Sequence, residues 1–451
     1  METKRWSLLL TAALMASLMT ACAGSGVPGG NGGATVGTPS EGKDPAASKP
    51  PEPPANTGPK EITMYTAGGT IDEKAFNDMY GNAIRKKFPD VTLKYIPSGK
   101  GSTLQELLSA GTTIDIVFDS IGYAYNFRNF GLQYDMTPLI KAKNIDLSKF
   151  EPSTIEFQRR VGNGAIYSLP VWTATAALYY NKDIFDKFGV PYPKDNMTWS
   201  EIYDLAKKLT RSEGGVQYVG YVTAAGSQAN TNQLGLKFVD PKTGKAQIDN
   251  EDWRKFMQSI VQFFQFSGMQ WTDQNSTVAA MRAMFEKDRT VAMYTNYSGG
   301  TPPDDMNWDA VTVPSYEQAP GIGPQSYPAY LSVTNLSKNK PLAFDIVAYL
   351  VSEEYQLENT KLGRATVLNN REILKHYGES MTKFKGKNIA AMFPQKRAEL
   401  GTYAPEESIA SAKFAAAFTD IITNKKDIVT ALRDANEAAN KEIETLTTQK
   451  K

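Results

Sequence analysis

From residue 61 onward the apolar and polar positions switch between two periods. "EITMYT" (61–66) is a short apolar-rich run leading into glycines, and "VTLKYIP" (91–97) alternates as a strand does. Between them Ile71, Phe76, Met79, Tyr80, Ile84 and Phe88 approximate helical spacing, and Pro89 closes the run. "STLQELLSAG" reads as a short helix opened by Ser102 and stopped by Gly111, and "IDIVFDS" as a buried strand. Strand, helix, strand, helix, strand in so short a span predicts an α/β layer on a largely parallel sheet. Ligands of such sheets sit outside the carboxyl ends of the strands, which points to the loops 67–70 and 119–123.

The same periods continue downstream. Thr198 opens a helix whose Trp199, Ile202, Leu205, Ala206 and Leu209 form a core-facing stripe. Trp253, Phe256, Met257, Ile260, Val261 and Phe264 share one helical face, which reads as core rather than ligand site. "VDPKTGKAQID" carries two turn signals around short strands and predicts a hairpin. "AAMRAMFEKDRTVAMYTNYSGG" predicts a helix, a tight turn at Asp288 and Arg289, a strand from Val291 to Tyr294, and a polar, glycine-rich loop placed for a ligand. The chain closes on an amphipathic helix built on Ile428, Leu432, Ala435, Ala439, Ile443 and Leu446. One stretch fits neither period well. "GAIYSLPVWTATAALYYNKDIF" (164–185) predicts an extended, apolar run from Ile166 to Tyr180, which must be covered along its whole length.

The amino-terminal part differs in kind. Lys4 and Arg5 precede an apolar run, Trp6 to Met19, too short for a membrane span of about 20 residues and fitting a secretory signal over 1–21. It ends in Leu18-Met19-Thr20-Ala21-Cys22, which resembles a bacterial lipobox, with the only cysteine of the chain where a lipid would be attached. The alternative is a plain secretory signal with a fortuitous cysteine. With one cysteine no intrachain disulfide is possible. Residues 22–59, rich in Gly, Pro, Ser and Ala, predict a disordered tether.

Charge and residue inventory narrow the chemistry. With 49 basic and 48 acidic residues the chain is nearly neutral and has no basic footprint for nucleic acid. The single histidine, His376, lies in a polar stretch with no Gly-x-Ser-x-Gly elbow in the chain, and no His/Cys/carboxylate cluster has zinc-like spacing. "SGKGST" (98–103) lacks the glycine a phosphate loop needs five residues earlier, where Lys94 stands. A pair of carboxylates in a cleft could serve a glycosidase, and the sequence carries no signature of one. The residues therefore predict no enzyme, no cofactor and no metal.

Gly164, Tyr167, Leu169, Pro170, Tyr180, Asn181, Lys182, Asp183, Phe185, Thr198 and Trp199 form a pattern of glycine turn, Leu-Pro pair, apolar crossing, Tyr-Asn-Lys-Asp and Thr-Trp helix start. It resembles the family 1 extracellular solute-binding proteins of bacterial ABC importers, the group that includes maltose-binding protein. "FEKDRTVAMYTN" and "LSVTNLSKNKPLAFDIVAYLVSEEYQ" resemble later segments of the same family, and the likeness runs from about residue 60 to 451. The resemblance implies a two-lobed α/β fold of the periplasmic-binding type, each lobe a mixed, mostly parallel sheet flanked by helices, joined by crossover strands. It implies a first lobe of 60–171 plus 332–400 and a second of 172–331 plus 401–451. The crossings fall near Leu169–Ala176 and Tyr327–Thr334.

It also implies capture of a small solute, most readily a mono- or oligosaccharide, by a lipid-anchored monomer on the extracellular face of the membrane. The solute would pass to the permease subunits of an importer. A ligand sensor presenting its solute to a membrane receptor, and an importer component for a non-sugar solute, are the alternatives. By position in the pattern, the ligand-binding candidates are Gly68, Gly69, Asp119, Ser120, Trp172, Asn230, Asn232, Asn296, Tyr297 and Tyr330, with Cys22 for lipidation. Each has a structural alternative: a helix cap for Asp119, interlobe core for Trp172, surface aromatics for Tyr297 and Tyr330.

Overall fold

The computed structural model describes residues 60–449, apart from 67–70, 267, 298 and 395. All of them fall within one compact unit, Pro53–Lys451. Cys22, Gly68 and Gly69, and with them the lipidation and two of the ligand-binding expectations, lie outside the described residues.

Among the described residues twelve strands follow one another: β1 (Glu61–Thr66), β2 (Thr92–Pro97), β3 (Ile116–Ser120), β4 (Leu169–Thr173), β5 (Ala177–Asn181), β6 (Arg211–Glu213), β7 (Val216–Thr223), β8 (Val291–Asn296), β9 (Trp308–Val311), β10 (Ile322–Gly323), β11 (Pro328–Val333) and β12 (Lys396–Arg397). They build two five-stranded sheets, ordered β2-β1-β3-β11-β4 and β6-β7-β8-β5-β9, with β10 and β12 as a separate pair. The sheets are mixed. β1 runs parallel to β2 and β3 while β11 is antiparallel to β3 and β4. In the second sheet only β7 and β8 are parallel, so the mostly parallel pairing expected from sequence fails there. The reason is β5, which enters from the first sheet and runs antiparallel to both its neighbours.

The crossing is broken rather than continuous. β4 is hydrogen-bonded into the first sheet and β5 into the second, and Ala174–Ala176 between them belong to neither. One strand cannot serve two differently oriented ladders, so the predicted run from Ile166 to Tyr180 splits. The link is held by Ala174 N–H donating to Tyr327 O (3.1 Å) and Gly299 N–H donating to Thr175 O (3.1 Å). The return from the second lobe therefore enters β11 directly beside the first crossing.

Each sheet has its own core. Ile62, Met64, Phe118, Leu169, Val171 and Leu331 pack with Phe344, Val347 and Val367 in the first lobe. Trp199, Tyr221, Trp253, Phe256, Met293 and Trp308 pack with Phe414, Leu432 and Ile443 in the second. Tyr377, Phe384 and Ala391–Phe393, expected in the first lobe, join the second-lobe core. Asn388 N–H donates to Asp309 Oδ1 (2.8 Å), and Phe384 meets the Trp308 ring edge-on. Ala329 and Leu331, expected in the second, belong to the first because β11 pairs with β3.

The helices follow their local signals closely. Trp199–Leu209 is opened by a Thr198/Glu201 capping box and buries Trp199, Ile202, Leu205, Ala206 and Leu209. Glu251–Val261 is capped by Asn250 and buries its aromatic face. The short helix Leu104–Ser109 is capped by Thr103, one residue later than expected, because Ser102 Oγ is engaged with Pro97 O (2.7 Å).

Candidate functional site

β3 ends at Asp119-Ser120, at the carboxyl edge of the first sheet. From there the chain turns through Ile121 and Gly122, whose lack of a side chain matters: a Cβ would come within 2.5 Å of Tyr327 Oη. Tyr327 leads into β11, and its ring meets Tyr403 edge-on at 5.9 Å. Tyr403 sits where the chain passes from β12 to the helix Pro405–Ile422, in a left-handed conformation at φ 51°. A non-glycine residue held there is strained, a feature that clusters at binding sites. Its hydroxyl donates to Asn230 O (3.3 Å) and Asn230 Oδ1 accepts from Ser411 Oγ (2.6 Å).

These groups line a cavity of about 440 Å³ with Gly122 and Tyr327 on the first-lobe side and Asn230 and Ser411 on the second. That volume suits a small ligand. Larger cavities of about 860 Å³ at the amino end of the first sheet and about 720 Å³ beside Arg371 and Phe393 are not framed by strand carboxyl ends of both lobes. No Lys or Arg lines the 440 Å³ cavity among the described residues; Glu407 is its one charged group.

Asp119 stands behind this wall. It is 3% exposed, and neither carboxyl oxygen has a hydrogen-bond partner. Burial pushes the carboxyl up to about 8, with only the adjacent Ser120 backbone N–H pulling the other way. Tyr327 is raised by burial first, while its hydrogen bond with the Ser120 side chain lowers it and the nearby Asp119 raises it further. Asp119 caps no helix.

The other candidates divide. Asn230 and Asn232 line the cavity, and Ser120 stands behind it, bonded to Tyr327. Trp172 is half-buried against the first-lobe core, its indole N–H without a partner. Asn296 closes β8 opposite Ala177, just past the link, and donates through Nδ2 to Gly300 O (2.9 Å). Asn232 is committed to the backbone: Nδ2 donates to Ala229 O and Leu236 O, and Oδ1 accepts from Leu236 N–H. Tyr330 turns inward, its hydroxyl on Thr154 O (3.0 Å) and its ring stacked near Phe157. Tyr297 is buried in the second-lobe core, where burial raises its phenol well above its ordinary range. Neither tyrosine is a surface aromatic and neither lines the cavity. Gly122, Tyr327 and Tyr403 are not among the ligand-binding candidates, although Gly122 falls in the loop 119–123 and Tyr327 opens the return crossing; the "SYPAY" start of β11 is the available signal, with Tyr327 just before the strand that holds Tyr330.

Among the described residues no group of three or more His, Cys, Asp or Glu could hold a metal ion, and no helix is long and apolar enough to cross a membrane. His376 is paired with Glu379 (2.7 Å) on the exposed surface, away from the cavity.

A two-lobed α/β fold with a ligand-sized cavity at the carboxyl ends of its strands is the arrangement of a solute-binding protein. Residues 66–357 match the family of bacterial extracellular solute-binding proteins, and the chain belongs to that family. It is similar to the sn-glycerol-3-phosphate-binding periplasmic protein UgpB of Brucella abortus, 25% identical over 195 residues, which are 40% of this chain and 42% of the relative. The match thus spans about two fifths of that relative's length. Among solved structures, a sugar transporter protein of Rhizobium etli in an open conformation has a TM-score of 0.69 at 21% identity, over 84% of this chain and 99% of the other. The sugar-binding protein MalE of Xanthomonas citri has a TM-score of 0.67 at 14% identity, over 86% and 98%. At these identities the likeness is one of fold.

Proposed function

We propose that the protein captures an uncharged, hydroxyl-rich solute of mono- or oligosaccharide type between its lobes and delivers it to an ABC importer. The observation that carries this reading is the cavity wall: a buried, unpartnered carboxyl beside Tyr327, with amide and hydroxyl groups opposite and no cation in the lining. Sugar hydroxyls donate to carboxylates, and their C–H faces pack on aromatic rings. A phosphate ester, the ligand named for the UgpB relative, finds no cation in this lining to answer its charge, and Glu407 would repel it. Sugar-binding neighbours of the same fold support the choice without deciding it.

The same carboxyls favour a second reading, a protonated amine held by Asp119 and Glu407 among the tyrosine rings. In either case the protein binds and releases its solute without chemistry, as a monomer. Lipid on Cys22 would tether it to the extracellular face of the membrane.

A thermal-shift panel on the chain from residue 58 onward tests the reading. It sets maltose, maltotetraose and D-mannitol against sn-glycerol-3-phosphate and spermidine. A ligand at about 100 times its Kd adds about 2.7 kcal/mol to folding, enough for a clear rise in Tm. A rise with a neutral sugar or polyol alone supports the carbohydrate reading. A rise with glycerol phosphate alone overturns it, and a rise with spermidine alone selects the amine.

A further inference from the structure

Two carboxyls are buried among the described residues, Asp115 and Asp119. Asp115 accepts from Thr63 N–H and Ser337 Oγ, and Asp119 accepts from nothing at hydrogen-bond geometry. No cation answers it either. From β1 it is faced by Tyr65, whose hydroxyl is bonded with Ser98, and from the lead-in to β11 by Tyr327, bonded with Ser120. On β11 itself Tyr330 is its register partner, with the hydroxyl turned to Thr154 O. On the helix Pro152–Val161, Glu156 pairs with Arg159 and Arg160 with Glu399. On the helix Ala124–Asn129, Arg128 lies over the Tyr125 ring and donates to Val161 O. β4 carries no ionisable side chain.

A carboxyl in such surroundings has two poor options. Ionised, it bears a buried charge with no donor; protonated, its O–H finds no acceptor. Burial selects the protonated form near neutral pH. A solute with adjacent hydroxyl groups removes the difficulty, because two donors aimed at the two oxygens favour the charged form.

We propose that capture of the solute is coupled to release of a proton from Asp119, the solute's hydroxyls donating to both carboxyl oxygens as the group ionises. The carboxyl O–H bond breaks, its electron pair stays on oxygen, and the proton passes to bulk water. The proposal rests on the carbohydrate reading above and adds to it a sensitivity to pH. Tyr327 is the side chain between Asp119 and the cavity: it lines the cavity and feels the Asp119 charge. Its phenol rests where Gly122 leaves room, and in the proposal this ring shifts to let the solute's hydroxyls reach the carboxyl.

Calorimetric titration of the wild-type chain with maltotetraose and with D-mannitol, in buffers of low and high ionisation enthalpy, reads the proton directly. The expected result at pH 7 is release of close to one proton per bound solute, with affinity rising by up to tenfold per pH unit from pH 6 to 8. In Asp119→Asn the release disappears and affinity becomes independent of pH over that range. Binding with buffer-independent heat in the wild type overturns the coupling and leaves the carbohydrate reading standing. Proton release that persists in Asp119→Asn also overturns it. Absence of binding by both solutes overturns the carbohydrate reading and the coupling built on it.

Discussion

Asp115 just precedes β3 and Asp119 lies near its end, four positions apart, and both are buried. At the amino end, Asp115 ties Thr63 of β1 to Ser337 beyond β11, and both of its oxygens are used. At the carboxyl end Asp119 is surrounded and unanswered. Asn232 and Asn230 both line the cavity in the second lobe and differ in degree: the first has its whole amide stitched into its own turn, while the second has its Oδ1 on Ser411 Oγ. A buried polar group that is fully satisfied holds the fold. One that is buried and open stores unfavourable energy that a ligand can relieve, and here the open one lies at the strand end where α/β proteins bind ligands.

The sharpest way to break this contrast is Asp115→Ala. It leaves the Thr63 N–H and the Ser337 hydroxyl buried without an acceptor, and should cost about 2–5 kcal/mol in urea unfolding. A cost below about 1 kcal/mol would mean that Asp115 is no more structural than Asp119.

Asp119 should behave in the opposite sense and through pH. Its folded value is raised from 3.8 to about 8, so the folded state holds the extra proton across that window. Stability should therefore fall as pH rises from 4 to 8, by at most about 1.4 kcal/mol per pH unit. Urea midpoints of wild type and Asp119→Asn, compared at pH 5, 7 and 9, should diverge in favour of the variant as pH rises. A constant difference would show that the carboxyl is ionised throughout.

The asparagine pair gives a smaller effect. Asn232→Ala removes three backbone contacts and should lower stability by about 1–2 kcal/mol, leaving sugar affinity unchanged in the folded fraction. Asn230→Ala should do the reverse, with affinity falling and Tm nearly constant. Equal losses of Tm in the two variants would erase the distinction. Smallest of all, Tyr327→Phe should change stability by about 1 kcal/mol or less, since the ring contact with Tyr403 remains and only the hydroxyl's bonds with Ser120 and the Gly122 backbone are lost. Its effect should appear in solute affinity, measured by the same titrations.

Local pattern was enough for much of the fold. The buried stripe of Trp199–Leu209, the capping box at Thr198 and the buried strand ending in Asp119-Ser120 are written in neighbouring residues, because helix and strand periods and caps act over a few positions. The division into two lobes came from the longer pattern around residues 164–199. Where the strand between the lobes breaks did not, because the break at Ala174–Ala176 is set by which ladder each half joins.

The site shows the same limit. Asp119, Ser120, Asn230 and Asn232 were legible because a strand's carboxyl end and the loop beyond it can be located from sequence. Tyr330 and Tyr297 were misplaced because the face a side chain takes depends on register with strands and helices far away in the chain. Tyr330 is set by pairing with Asp119 and Pro170, and it turns toward Phe157. Tyr327 and Tyr403 meet only once the chain has returned twice between the lobes. Sequence determined which residues could form strands, helices and a polar rim. Tertiary structure alone decided which of the buried polar groups would find partners and which one would be left open, since that depends on contacts between segments no local period connects.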